Sequence, residues 1–306
     1  MHTGDMYPTK TFFFRATASM LVATIWSNPV FGQSPFEAGA AALQAKHTAL
    51  ASQLASNEFQ RPLAIESAET SGAINGNAYA VINYPFATVA ATFTEPEKWC
   101  DVMILHINTK YCRVVAASNP VMLKVHIGKK TPQTLQDSFP LEFVMRQVNT
   151  SANLLVVQLN AEKGPLGTSN YRIELQAVPI EGNKTFMHLR YAYEYGMTGR
   201  LAMQGYLATA GRGKVGFSTK TPATTNTKAT YVGGARGAVE RNTMRYYLAI
   251  DAYLQSLHLP ANQQVNARLE KWFDSTEQYA IQLREADKTS YMAMKRNEIQ
   301  RQQTSP

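Results

Sequence analysis

Cysteine, charge and catalytic signatures are all scarce in this 306-residue sequence, and each scarcity excludes a class of function. Two cysteines, Cys100 and Cys112, are too few for a four-cysteine metal site and allow one internal bridge at most. Charged residues make up 17% against 45% hydrophobic, which excludes a disordered chain and is low for a cytosolic enzyme of this size. The balance is basic, +8 from 30 cations and 22 anions, but no Lys/Arg block gathers it, which argues against nucleic acid as a partner. The sequence has no G-x-S-x-G, S-x-x-K or H-E-x-x-H string and no aspartate-rich loop. His47, His106, His126, His188 and His258 fall on different elements without a paired metal spacing. Neither a metal nor a cofactor is expected, and no internal repeat appears.

The first segment carries an address. Lys10 and Arg15 precede an apolar run over 16–26, and Val30-Phe31-Gly32 stands before Gln33. A basic start, a short apolar centre and small or branched residues before the cut describe a secretory signal peptide over 1–32, cleaved near Gly32-Gln33. The run is too short for a bilayer, which takes about 20 apolar residues. No integral span is expected after cleavage, and no cysteine follows the cut to take a lipid. Loss of Lys10, Arg15 and Asp5 leaves a mature charge of +7. The expected location is periplasmic or secreted, an oxidising compartment in which Cys100 and Cys112 pair. A loop of about a dozen residues is worth roughly 2–3 kcal/mol, a local staple.

After the leader, Ser34-Pro35-Phe36-Glu37 opens a helix with a capping-box pattern and Pro in the first turn, continued to about Asn57. Arg61-Pro62 breaks it, and 66–77, rich in Ser, Gly and Asn, reads as a linker, so 33–74 forms an N-terminal helix and linker. A strand is expected over 78–84, a helical turn near 87–92, and a helix opened by Thr94-Glu95-Pro96-Glu97 with Trp99, Val102, Met103 and His106 on one face. His106 reads as a satisfied helix-terminal histidine.

Six strands follow in a meander, over 111–117, 121–128, 141–149, 153–160, 170–179 and 184–195. Odd positions such as Met145, Tyr171, Met187, Tyr191, Tyr193 and Tyr195 form the buried face, and even ones such as His188, Arg190 and Glu194 face water. Residues 196–234 suggest a short helix near 200–208, an edge strand at 214–218 and a loop. Long amphipathic helices are expected over 238–257 and 263–286, and the polar tail 288–306 extends the second with little helical signal.

Gly211-Arg212-Gly213-Lys214-Val215-Gly216 matches the dinucleotide G-x-G-x-x-G string without the strand-to-helix context that the chemistry requires, so it reads as a glycine-rich gating loop or tight hairpin. The tyrosine stripe is the more distinctive feature. Several phenols on one inward face need hydrogen-bond partners, which points either to a partly wet cavity or to contacts with a helix. Met145 and Met187 suit an adaptable wall, and Tyr246, Tyr247, Asp251 and Tyr253 offer the facing helix. Asp251 reads as the buried charge.

The order strand, two short helices, antiparallel meander and long helix over about 75–257 resembles the START-like, or SRPBCC, helix-grip superfamily. The resemblance implies an α+β fold in which a curved antiparallel sheet of about six to seven strands grips the long helix and encloses an apolar cavity. The segment 258–306 is then a C-terminal helical extension. The expected ligand residues are Met145, Tyr171, Met187, Tyr191, Tyr193, Tyr195, Tyr247 and Asp251. The function expected first is an exported carrier of a small hydrophobic molecule or lipid. Its rivals are a cyclase or hydrolase of the same fold, and an envelope interaction protein docking a protein partner through Leu269, Trp272 and Phe273.

Overall fold

The computed structural model describes residues 1–2, 35–115, 119–209, 211–221 and 229–304, and the compact unit begins at Ser34. The leader expected over 1–32 lies outside the described residues beyond its first two.

Helices α1 (Pro35–Ala49) and α2 (Ala51–Ala55) lead into a hairpin of β1 (Leu63–Glu69) and β2 (Ala73–Ile82), antiparallel from Leu63 opposite Ala80 to Glu69 opposite Ile74. This corrects the linker expected at 66–77. Ile74, Ala78, Ala80 and Ile82 alternate inward along β2, a strand signal that the intervening Gly and Asn conceal. Gly76 is small for a reason of packing, since a Cβ there would stand 3.3 Å from both Thr243 Cβ and the Val239 carbonyl of the long helix that crosses it.

Two helices follow, α3 (Phe86–Phe93) and α4 (Pro96–Met103); the second starts at Pro96 with Glu95 as its N-cap and no capping box, because the Thr94 hydroxyl donates back to the Ala90 carbonyl of α3 at 3.0 Å. The meander is β3 (Thr109–Val114), β4 (Met122–Ile127), β5 (Phe139–Thr150), β6 (Leu155–Lys163), β7 (Thr168–Ile180) and β8 (Lys184–Tyr195). β8 then pairs with β2, giving one antiparallel sheet of eight strands in the order β1-β2-β8-β7-β6-β5-β4-β3, rather than six to seven. The added strand is β1. Helix α5 (Met197–Ala208) and a small ribbon of β9 (Thr219–Thr221) and β10 (Thr230–Tyr231) precede the long helix α6 (Gly234–Ser256). The edge strand expected at 214–218 is displaced to β9. Helices α7 (Ala261–Glu277), α8 (Ala280–Leu283) and α9 (Lys288–Thr304) complete the unit. The fold is α+β, one eight-stranded antiparallel sheet packed on the long helix α6.

Helix α6 is buried almost all round, with 17 of its 23 residues inaccessible, because the sheet takes one side and α7 the other. Trp272 of α7 donates from its indole nitrogen to the Arg245 carbonyl at 3.0 Å and stacks on Tyr291 of α9 at 4.9 Å. Leu269, Trp272 and Phe273 are therefore core residues, which removes the surface on which the partner-docking expectation rested. Helix α9 is bolted to the turn after α4. The Tyr291 hydroxyl donates to the Leu105 carbonyl at 2.9 Å, and the buried Lys295 ammonium donates to the His106 and Thr109 carbonyls at 2.7 Å each. Glu298 completes the set by accepting from Lys295 at 2.8 Å and Lys110 at 3.0 Å, so both buried cations share one carboxylate.

The outer face of the sheet is not simply solvated. Ala40, Leu43, Leu50 and Leu54 of the N-terminal helices pack on Ala64, Leu154, Val178 and Phe186, a second apolar cluster across the sheet from the main core. His188 lies beside it, stacked on Tyr79 at 4.4 Å with its Nε2 2.9 Å from Asn77 Oδ1. Burial, then Arg190 and Lys46, pull its pKa down to about 4.

Cys100 and Cys112 form a disulfide with Cα atoms 5.1 Å apart, joining α4 to β3 as the sequence suggested. Replacing both with Ala removes a short-loop constraint and lowers the unfolding free energy by about 2–3 kcal/mol. Urea titration with and without dithiothreitol checks this: reductant lowers the wild-type midpoint and leaves the double variant unmoved, and a wild-type midpoint indifferent to reductant refutes the bridge.

His188 makes stability fall with acid. Below pH 6.5 the unfolded chain takes up a proton that the folded one refuses until about pH 4, so the unfolding free energy decreases across that window. The contribution is on the order of 3 kcal/mol. His188→Gln keeps a donor for Asn77 and flattens the dependence of urea midpoint on pH between those limits. An unaltered slope contradicts the assignment.

Candidate functional site

A cavity of about 240 Å³ lies between the inner face of the sheet and the first half of α6. Its sheet wall is built by period two. Tyr171 on β7 and Tyr191 and Tyr193 on β8 point inward, and Leu141 and Phe143 on β5 continue the surface. Tyr171 and Tyr193 stack at 5.2 Å with their planes 17° apart, and Tyr191 meets Tyr246 of α6 at 5.5 Å. Tyr171 shares a 2.9 Å hydrogen bond with Thr168. The hydroxyls of Tyr191, Tyr193 and Tyr246 pair with no described residue, yet none is a sealed atom, so they face the space of the cavity. Burial raises all four phenols above their ordinary range, which keeps them neutral donors.

The opposite wall is cationic. Arg241 and Arg245, one helical turn apart on α6, line the cavity with Lys130 from the segment after β4. Glu285 lies behind them and accepts from Lys130 at 2.6 Å and Arg245 at 2.8 Å, and also from Lys214. Burial pulls the pKa of Lys130 and Arg245 down, and Glu285 opposes it. Arg241 makes no ion pair among the described residues. It donates instead to the Val215 carbonyl at 3.1 Å and the Tyr206 hydroxyl at 3.4 Å. Burial alone would raise the Tyr206 phenol, but Lys130 and Arg241 bring it below its ordinary value.

His106 completes the cavity where α4 turns into β3, and it is not the satisfied histidine expected. Its Nδ1 accepts the Asn108 backbone N–H at 3.2 Å, while its Nε2 is buried without a partner. Burial, then Arg245, Lys295 and Lys130, hold it well below the ordinary histidine range. A neutral ring that accepts at Nδ1 carries its proton on Nε2, an unused donor.

The glycine-rich stretch is a strap rather than a nucleotide loop. The Phe217 and Ser218 N–H groups donate to the buried Glu240 carboxylate at 2.6 and 2.8 Å, and the Gly216 N–H donates to the Val232 carbonyl at 2.6 Å. This ties the strap to the helix that carries Arg241.

Of the expected ligand residues, Tyr171, Tyr191 and Tyr193 line the cavity. Met145 and Met187 belong to the surrounding core, and Tyr195 packs at the edge of that core outside the cavity lining, its hydroxyl donating to Glu69 at 2.9 Å. Tyr247 and Asp251 sit away from the cavity with Arg61, whose guanidinium is 3.4 Å from the Asp251 carboxylate. Glu194 accepts from Asn170 at 2.7 Å on the outer face, far from the reach of a pair with an inner group. The residues that sequence reasoning missed are Lys130, Arg241 and Arg245. The signal for Arg241 and Arg245 was a pair of cations at i and i+4 on a long helix that the sequence already set opposite the tyrosine stripe; Lys130, in the segment after β4, carried none. Among the described residues no three His, Cys, Asp or Glu side chains gather to hold a metal ion. A larger groove of about 340 Å³ beside α4, β3, α7 and α9 has two of its polar pairs internal to the protein, Arg268 with Asp101 at 3.1 Å and Gln302 with the Cys112 N–H at 3.0 Å.

No family model matches this sequence, and no curated protein matches it either. Solved structures similar to it in part include a norcoclaurine synthase point mutant of Thalictrum flavum, with 12% identity over 46% of this chain and 89% of that one and a TM-score of 0.33. Ara h 8.0201 is 8% identical over 63% of this chain and 99% of its own, with a TM-score of 0.35. The human StarD13 lipid transfer and protein localization domain is 8% identical over 51% and 88%, with a TM-score of 0.30.

Proposed function

We propose that this chain is an exported binding or carrier protein for a small amphiphilic molecule held between the tyrosine wall and α6. The observation that carries the reading is a cavity whose neutral phenols include three hydroxyls that pair with no described residue. A ring or short chain covers the aromatic faces, and its polar atoms pair the hydroxyls. The size narrows the lipid-like ligand expected from the sequence. At about 240 Å³ the cavity lies below the roughly 300–1,000 Å³ of drug-sized sites, so it suits a single ring or a single short chain rather than a two-chain lipid. Export rests on the leader pattern over 1–32, and the buried disulfide is in keeping with an oxidising compartment.

A cyclase or hydrolase on the same scaffold is the second reading. Tyr206, acidified beside Lys130 and Arg241, is the group that favours it, since a phenol of lowered pKa at a cavity wall is suited to proton transfer.

Native mass spectrometry of protein purified from the cells that make it, followed by organic extraction, tests the carrier reading. The expected result is a bound small mass in the wild type that is lost in Ala238→Leu, which fills the cavity from α6. Wild-type protein with no bound mass refutes the reading. N-terminal sequencing of the same material tests export, the expected first residue being Gln33, and a chain still carrying residues 1–32 refutes cleavage.

A further inference from the structure

The cavity has donors and cations in excess of anything the protein offers them. Lys130, Arg241 and Arg245 line it and no carboxylate does. Glu285, outside the lining, is already shared by Lys130, Arg245 and Lys214. Arg241 is 1% exposed and has a carbonyl and a phenol for partners, but no anion among the described residues. A charge removed from water this far is stabilised by a counter-charge, and no described residue supplies a carboxylate for it.

The unpaired atoms agree. His106 Nε2 and Arg245 Nε are both buried without partners. The first carries the proton, because Nδ1 accepts from Asn108, and the second is a donor in every state of arginine. Asn242 neighbours the histidine; its Oδ1 accepts from Arg245 Nη1 at 3.3 Å and keeps a second lone pair toward the ring, without reaching hydrogen-bond geometry to Nε2. Donors without acceptors on one wall, and neutral phenols with bare aromatic faces on the other, describe the two ends of one ligand. The lowered Tyr206 phenol reports the same positive potential between them.

We propose that the occupant is a small amphiphile with one anionic oxygen head group, a carboxylate or a phosphate, which accepts from Arg241, Lys130 and His106 while its apolar body lies on the Tyr171–Tyr193 stack. This deepens the carrier reading and rests on it. Guanidinium and ammonium bonds to an anionic oxygen are charge-assisted, so they separate an acid from its neutral amide more than any contact with the tyrosines does.

The test is a calorimetric titration of the full mature chain with matched probes: phenylacetate, benzyl phosphate and phenylacetamide for a ring, and octanoate, octyl phosphate and octanamide for a chain. At least one anion binds about tenfold or more tighter than the amide sharing its body, and the better anion tells carboxylate from phosphate. Arg241→Gln and Lys130→Gln each narrow that margin, because each removes one positive charge from the head-group wall; a margin unchanged in both variants overturns the assignment. Lys130 is 23% exposed, so its variant decides the matter if Arg241→Gln does not fold. Equal affinity for acids and amides overturns the head-group assignment and leaves the carrier reading standing. Binding by none of the six, together with no bound mass in the native protein, overturns the carrier reading itself.

Discussion

The burial of α6 on nearly every side is the constraint from which the rest of this structure follows. A helix enclosed by a sheet and by α7 has no solvent to satisfy its polar side chains, so each needs an internal partner. Glu240 finds the N–H groups of the strap, and Arg245 finds Glu285 and the Leu283 carbonyl. Thr243 returns its hydroxyl to the Val239 carbonyl at 2.9 Å, which lets the helix approach Gly76 of β2. Arg241 alone of the buried charges on the first half of the helix faces a cavity without an opposing carboxylate.

The C-terminal helices turn that burial into a positioned site. Trp272 caps the Arg245 carbonyl, and Tyr291 stacks on Trp272. Lys295, through the His106 and Thr109 carbonyls, holds the turn that carries the histidine ring. The disulfide pins the same region from the other end, at α4 and β3. His106 thus sits on backbone held by a buried ammonium and two packed aromatics, which gives its free Nε2 a defined direction at little further entropic cost. The segment that resembled an appendage in the sequence is the scaffold of one wall.

Much of the fold was legible because burial on one face leaves a period. The alternation along β8 placed Tyr191 and Tyr193 inward, and the spacing of three and four placed α6 and α7. The β1–β2 hairpin was obscured because Gly76 and the asparagines around it answer to close packing and to pairs such as Asn77 with His188, which composition reads as loop. Helix α9 was faint because its buried residues include Lys295 and Glu298, polar by type and internal by partnership. The site was half legible for the same cause. Apolar and aromatic residues declare their face by period, whereas Arg241 and Arg245 are buried and Lys130 half-buried by virtue of Glu285 and Tyr206, which are distant in the chain.

The sequence by itself determined the meander, the long helix and the inward placing of Tyr171, Tyr191 and Tyr193, and its two cysteines left a single possible internal bridge. The strands, the helix and the stripe depend on local period, which can be read along a line. Only the tertiary structure decided which side of α6 faces the stripe, and it chose Arg241, Asn242 and Tyr246 over Tyr247 and Asp251. The difference is a rotation of the helix about its axis. That rotation is set by the docking of α7 and by the Arg61 pair with Asp251, contacts between residues far apart in the chain, and no periodicity records it.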